Sequence, residues 1–360
     1  MDNYYVAALQ SVSGIGSAKI AAMIDYFGSA QQAWQAQKGD LFLCKILDGV
    51  TCNNLVVWRE QLNVEKLRAD WDHKKIHLCS KRDQAYPALL KNIYEAPFLL
   101  YYRGSLPTHN SLMALVGARR ASAYGKNVAH MLAAQLAEVG YWVVSGAARG
   151  IDTASHVGAL TRGATIAVLG CGVDICYPRE NEKLLRQISE QGAVVSEYMP
   201  GTQPHPGFFP ARNRIISGMS RGVVVIEAAE RSGALITADR ALEEGRDVYA
   251  VPGSIFSKTS FGTHRLIQQG AKLVQGLKDI LQEYELVPSH REKQEQLDAD
   301  EQQIYQLLSY ETPVMLEELA IKTSLTLSSI TYIILQLELR GLVVQHGSQS
   351  YVRTAKEGIE

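Results

Sequence analysis

The residues best suited to chemistry in this chain are glycines and arginines gathered in short runs. One run is Val116-Gly117-Ala118-Arg119-Arg120-Ala121-Ser122-Ala123-Tyr124-Gly125, and a second is Ser145-Gly146-Ala147-Ala148-Arg149-Gly150-Ile151-Asp152. Gly170-Cys171-Gly172 and Glu227-Ala228-Ala229-Glu230-Arg231-Ser232-Gly233 complete the set. Glycine lets a backbone approach an anion closely, N–H groups at a helix start attract phosphate, and serine adds a hydroxyl donor. The guanidinium of arginine is a planar fork that matches phosphate. The densest segment of this kind is Phe208-Phe209-Pro210-Ala211-Arg212-Asn213-Arg214-Ile215-Ile216-Ser217, and Arg179, among Asp174, Tyr177 and Asn181, is a further candidate. Each feature also has a plainer reading, in which the glycines make tight turns and the arginines form surface ion pairs. Four such loops together favour an anion site. Arg149 and Arg231 are assigned to ion pairs.

Catalytic constellations are thin. His156 and His205 have no Ser or Cys at a recognisable spacing, and His264 reads as a helix-start residue. Asp152 at a helix N-terminus serves the helix dipole better than a reaction. Glu197 and Glu227 each end a strand candidate. They are either an acid pair or, the preferred reading, acceptors for loop backbone. No GxxxxGKS/T occurs, and Gly170-Cys171-Gly172 lacks the third glycine of GxGxxG, so neither a nucleotide triphosphate nor a dinucleotide cofactor is expected.

These runs need elements to position them. Short apolar runs at 112–116, 142–145, 164–169, 193–196, 223–227 and 247–251 predict strands. Amphipathic stretches at 122–138, 151–160, 181–190, 210–218, 233–244 and 264–269 predict the helices between them. Such alternation implies an α/β fold with a doubly wound, mostly parallel sheet and helices on both faces. The glycine loops would then emerge together at the carboxyl edge, where such sheets bind ligands. Ahead of the sheet, Ile20, Met23, Ile24 and Phe27 recur at helical spacing, predicting a small all-α domain over 1–70. The sheet domain is expected over 80–285 and a charge-dense linker over 286–298. Helices at 303–308, 316–322 and 328–340, followed by strands at 342–346 and 350–353 joined at Gly347-Ser348, form a winged-helix pattern over 299–355.

Composition narrows the function. Lys and Arg number 36 against 37 Asp and Glu, so no global field draws the chain to nucleic acid or membrane, and any anion site is local. The five cysteines, with no CxxC pair, argue against a disulfide framework and a zinc site. No bound metal is expected. With no signal-like leader and no run of roughly 18 apolar residues, a cytoplasmic protein without a membrane span is expected. The winged-helix segment is acidic, and its third helix is mostly Ile, Leu and Tyr. It lacks the bases that a duplex reader needs and reads as a protein-contact or dimer-supporting module.

VGARRASAYG, SGAARGID, GCGVDICYPREN, FPARNRIISG, VIEAAERSGALITA, AVPG and LIQQGAKLV together resemble the DNA-processing (DprA/Smf) family over about 86–281. The resemblance implies a Rossmann-like domain that dimerises and binds single-stranded DNA without acting as an enzyme. It also implies delivery of a RecA-type recombinase onto incoming DNA in natural transformation. Carried onto matching positions, it implies DNA contacts at Arg119, Ser122, Gly146, Arg179, Arg212, Asn213, Arg214 and Ser217. His264 stands where the family pattern has Asn, which puts any contact there in question. Val12-Ser13-Gly14-Ile15-Gly16-Ser17-Ala18-Lys19 resembles a helix-hairpin-helix turn, so the N-terminal domain is expected to be of that type or SAM-like. The rival is an enzyme of the LOG-like nucleotide phosphoribohydrolase type, which shares the SGAARGID style of loop. This chain lacks its PGGxGTxxE motif after Glu227.

Overall fold

The computed structural model describes residues 2–284, 297–323, 325–346 and 349–354. Its central sheet contains β1 (His77–Ser80), β2 (Leu99–Gly104), β3 (Leu112–Val116), β4 (Trp142–Ser145), β5 (Thr165–Val168), β6 (Ala193–Ser196), β7 (Gly222–Val225), β8 (Asp247–Ala250) and β9 (Lys272–Leu273). The strand order is β1-β2-β6-β5-β4-β3-β7-β8-β9. From β6 through β9 the pairs are parallel, whereas β1–β2 and β2–β6 are antiparallel. This is the predicted doubly wound, Rossmann-like sheet, extended by two antiparallel strands at one edge.

The central strands are buried on both faces, which is why they read as continuous apolar runs. Along β3 the side chains alternate between two cores. Leu112, Ala114 and Val116 join one cluster, and Met113 and Leu115 join the other, as the two-residue strand period requires. The chain runs outward from β3 through β4 and β5 to β6, then returns to the other side of β3 with β7. The point of reversal therefore lies between β3 and β7, and the loops leaving these strands diverge into a crevice.

Six helices, from Asp2–Gln10 to Val64–His73, precede the sheet. Their core is not closed on itself: Tyr5, Ile20, Met23 and Trp71 cluster with Phe98, Leu99 and Tyr101 at β2. The turn between the first two helices contains Gly14 at φ 91°, and the Lys19 ammonium donates to its carbonyl at 2.9 Å. All five cysteines are free.

The helices Ala299–Leu307, Leu316–Thr323 and Leu327–Leu339 pack around Ile304, Leu319, Ile330, Ile334 and Leu337. With them is a three-stranded sheet of β10 (Val314–Met315), β11 (Val343–Gln345) and β12 (Ser350–Arg353), ordered β10-β12-β11. The predicted wing thus gains a third short strand. Asp298 caps the first of these helices, accepting from Glu301 N at 2.8 Å. Most of the expected linker, 286–296, and the expected turn Gly347-Ser348 lie outside the described residues. Among the described residues no single helix is long and apolar enough to cross a membrane.

Candidate functional site

A cavity of about 570 Å³ opens at the point of reversal. The loop after β3 contributes Gly117 to Arg120, the loop after β7 contributes Ala229 and Arg231 to Gly233, and Pro206, Phe209, Pro210, Arg212 and Asn213 close it from the side. Arg119, Arg120 and Arg231 all line it, are exposed, and make no ion pair among the described residues. Arg119 lies over Phe209, with its guanidinium carbon 5.5 Å from the ring centroid, and Tyr177 faces Phe209 at 5.4 Å. A cationic rim thus meets an aromatic wall.

Two of the glycine loops are not open cradles. Asp152, buried at the start of the helix Ile151–Leu160, turns its Oδ2 back to accept from Gly146 N and Ala148 N, each at 3.2 Å. Burial pushes this carboxyl upward, while Arg212 and the amide donors pull it down. Glu227 performs the same service after β3. It accepts from Ser122 N at 2.9 Å, from Ser122 Oγ at 2.5 Å and from Thr259 Oγ1 at 3.2 Å. Ser122 Oγ in turn accepts from Gly125 N at 3.0 Å, capping the helix Ala123–Glu138. The negative charge that these helix starts attract is supplied from within the protein.

The glycines serve this internal packing. Gly150 takes φ 79°, and a Cβ there would lie 2.6 Å from Arg119 O, so only glycine lets these two loops touch. A Cβ on Gly146 would lie 2.8 Å from both the Arg212 guanidinium carbon and Asp152 Oδ2. Asn181 holds the second loop from below, its Nδ2 donating to Ala147 O at 2.9 Å and Thr153 Oγ1 at 3.0 Å.

Arg212 is 5 % exposed. Its Nη1 donates to Gly146 O at 2.9 Å and also to Val168 O, tying the ends of β4 and β5 together. Burial lowers this guanidinium to about 10, with Asp152 opposing the shift, so it remains a cation near neutral pH. It lines the cavity floor, but its primary partners are backbone carbonyls.

The predicted contact residues therefore divide. Arg119, Arg212 and Asn213 line the cavity, whereas Ser122, Gly146, Arg179, Arg214 and Ser217 do not. Ser122 and Gly146 lie behind it in the carboxylate networks. Arg214 points away from the cavity, pairing with Glu197 at 2.6 Å while 14 % exposed. Ser217 Oγ donates to Asn213 O of its own helix at 3.2 Å. Residues two apart on a helix face about 200° apart, so Arg212 and Arg214 point to nearly opposite sides and cannot share one target. Arg179 is exposed at the start of a short 3-10 turn. Arg149 pairs with Glu180 as assigned, but Arg231 belongs to the cavity, contrary to its assignment. Glu197 and Glu227 have different partners, and only Glu227 holds loop backbone. His264 Nε2 lies 3.0 Å from Gly253 O, a contact with the loop that follows β8. His156 is buried against Thr165 at 2.8 Å and pushed down to about 3, hence neutral. Among the described residues no group of three His, Cys, Asp or Glu is placed to hold a metal ion.

Comparison with known proteins decides the lineage. The family model of DNA recombination-mediator protein A matches residues 77–285, and that of the DprA winged helix domain matches 288–349. The chain belongs to the DprA/Smf family. Among its DprA relatives, DNA processing protein DprA of Streptococcus pneumoniae is 43 % identical over 287 residues, which is 79 % of this chain and 98 % of that protein. Protein Smf of Escherichia coli is 41 % identical over 69 % of this chain and 63 % of its own length. The X-ray structure of the pneumococcal DprA superimposes with a TM-score of 0.68 at 40 % identity, over 79 % of this chain and 99 % of that one. DNA processing protein A of Helicobacter pylori, studied for its single-stranded DNA binding mode, superimposes with a TM-score of 0.53 at 27 % identity. That match covers 58 % of this chain and 95 % of the other. As a member of that family, this chain is a DNA-processing protein of the recombination-mediator type.

Proposed function

We propose that this chain binds single-stranded DNA in the cavity between the β3 and β7 loops. It then delivers a RecA-type recombinase onto that strand, acting as a cytoplasmic homodimer during natural transformation. The observation that carries the proposal is three arginines, Arg119, Arg120 and Arg231, that line the same cavity as Tyr177 and Phe209 and make no ion pair among the described residues, with Arg119 lying over the Phe209 ring. Phosphates meet the guanidinium forks while bases stack on the rings, a combination that tolerates any sequence. The single-strand binding of the Helicobacter pylori relative supports the same reading. The enzyme alternative needs a carboxylate free to act on a ribose. Glu227 is already engaged by Ser122 and Thr259, which favours a binding protein.

The test is a fluorescence titration of a labelled single strand against duplex of equal length. The single strand is expected to bind at least tenfold more tightly, with a log–log salt slope of about −0.7 per phosphate neutralised. Equal or tighter binding to duplex overturns the proposal. Recombinase delivery is read as faster filament nucleation on strands already carrying this protein, and self-association by sedimentation at micromolar concentration.

A further inference from the structure

We propose that Tyr198, Phe208 and His205 form a second nucleobase platform beside the cavity, receiving the next base of a single strand seated there. The inference rests on the function proposed above.

Phe208 and Phe209 are adjacent in the first turn of the helix Phe208–Met219. About 100° of helical rotation separates their directions. Phe209 therefore joins Tyr177 and Arg119 in the cavity, and Phe208 faces a different cluster. Its ring stacks on Tyr198 at 4.2 Å and 27°, and His205 tilts against it at 5.3 Å and 58°. Tyr198 is anchored at the end of β6, where its N–H donates to Ser196 Oγ at 3.0 Å. The exposed His205 ring is fixed by its Nδ1, which accepts from Gly207 N at 3.2 Å.

Large aromatic rings ordinarily contribute their area to a core. Phe208 and Tyr198 enter none of the apolar clusters of the described residues and remain only half-buried. They form a preorganised stack at the solvent edge, continuous through Phe208–Phe209 with the cavity wall. The platform carries no free negative charge at its root. Glu197, beside Tyr198, is paired with Arg214 at 2.6 Å, and burial pushes the Tyr198 phenol up to about 12, keeping it neutral. A base presents a π-face whatever its identity, so such a stack extends the site without adding sequence preference. On its far side, Met199 and Val173 pack on the core of the N-terminal helices, and Gln10 Nε2 donates to Glu197 O at 3.2 Å. A strand leaving the cavity over this platform is directed toward that helical domain.

The test compares full-length wild type with Phe208→Leu, Tyr198→Leu and His205→Ala. The probes are an oligothymidylate and an abasic strand of equal length, titrated by fluorescence anisotropy. Wild type is expected to prefer the oligothymidylate, and each variant to lose about fivefold or more on it, as stacking of one base implies, with abasic binding unchanged. His205 is exposed, so its replacement reports even where Phe208→Leu does not fold. Photocrosslinking of wild type to a strand carrying 5-iodouracil should label Tyr198 or the 205–208 segment. Variants that bind oligothymidylate like wild type, or crosslinks confined to Tyr177 and Phe209, overturn the platform and leave the cavity reading standing. Failure of wild type to bind either strand overturns both.

Discussion

Replacing Arg212 by Ala tests whether this arginine is part of the site or part of its frame. Its Nη1 donates to two carbonyls, Gly146 O and Val168 O, in a site that is 5 % exposed. A hydrogen bond from a charged donor is worth about 1.5–3 kcal/mol, so losing two removes about 3–6 kcal/mol. The Asp152 carboxylate also loses the cation that favours its charged form. Against a total stability of about 5–15 kcal/mol, this is a large fraction. For a domain of this size it corresponds to a fall in melting temperature of roughly 6–24 °C. Arg119→Ala should behave in the opposite way. Arg119 is exposed, lies over the Phe209 ring and makes no ion pair among the described residues, so melting should stay close to wild type. Affinity for a single strand should fall by about tenfold to a hundredfold, as expected for one charged phosphate contact. The salt slope should become shallower by about 0.7. Arg119→Lys should recover part of that loss, since the charge remains and the fork does not. Differential scanning calorimetry and salt-dependent titration of the same two variants provide both readouts. An Arg212→Ala protein that melts like wild type but has a shallower slope refutes the division between frame and rim.

Truncation before Asp298 should keep single-strand affinity within tenfold of the full chain, because the cavity draws no residue from the winged helix. Titration of the folded truncated protein checks this. Glu227→Gln places an amide donor where Ser122 N, Ser122 Oγ and Thr259 Oγ1 require acceptors, and should destabilise by about 1–3 kcal/mol in denaturant unfolding. His156 is held neutral down to about 3 in the folded protein. An unfolded histidine near 6.5 takes up the proton first, so this group erodes stability as pH falls from about 6.5 toward 3, by about 1.4 kcal/mol per unit. Glu244, raised to about 7, has the opposite sign, its cost disappearing as it is protonated. The difference between wild type and His156→Asn, measured by denaturant unfolding at pH 6.5 and pH 5, isolates the histidine.

The parallel strands were legible because burial on both faces writes them as apolar runs: β3, β4 and β6 occupy the predicted residues. The antiparallel edge strand β1 was not, since His77-Leu78-Cys79-Ser80 has neither an apolar run nor a clean alternation; β2 was missed although Leu99-Leu100-Tyr101-Tyr102 carries an apolar run. The site was legible as a set of loops but not as a division of labour. The carboxylate that fills the first loop comes from 105 residues away, and the arginine beneath the second from 66 residues away. No local pattern announces either. Arg231 carried a usable signal: it precedes Ser232-Gly233 at a helix start, directly after the strand that neighbours β3.

The internal carboxylates change how this edge can bind an anion. In a site built from open amide cradles, the backbone sets both position and affinity, and the ligand must fit the cradle. Here Asp152 and Glu227 occupy Gly146 N, Ala148 N and Ser122 N before any ligand arrives. Those loops are thereby rigid, and the work of attracting phosphate passes to side chains at the rim. Long arginine side chains adjust to the phosphates of a flexible strand, whereas a fixed cradle selects one phosphate geometry. Removing a buried carboxylate should therefore not improve DNA binding by freeing amides. It should loosen the loops that carry Arg119 and Arg120, and affinity should fall together with melting temperature. Asp152→Asn is the direct case, because Gly146 N and Ala148 N lie at equal distance from one oxygen. A variant that binds single strands more tightly than wild type would show that the cradles, and not the rim, limit affinity.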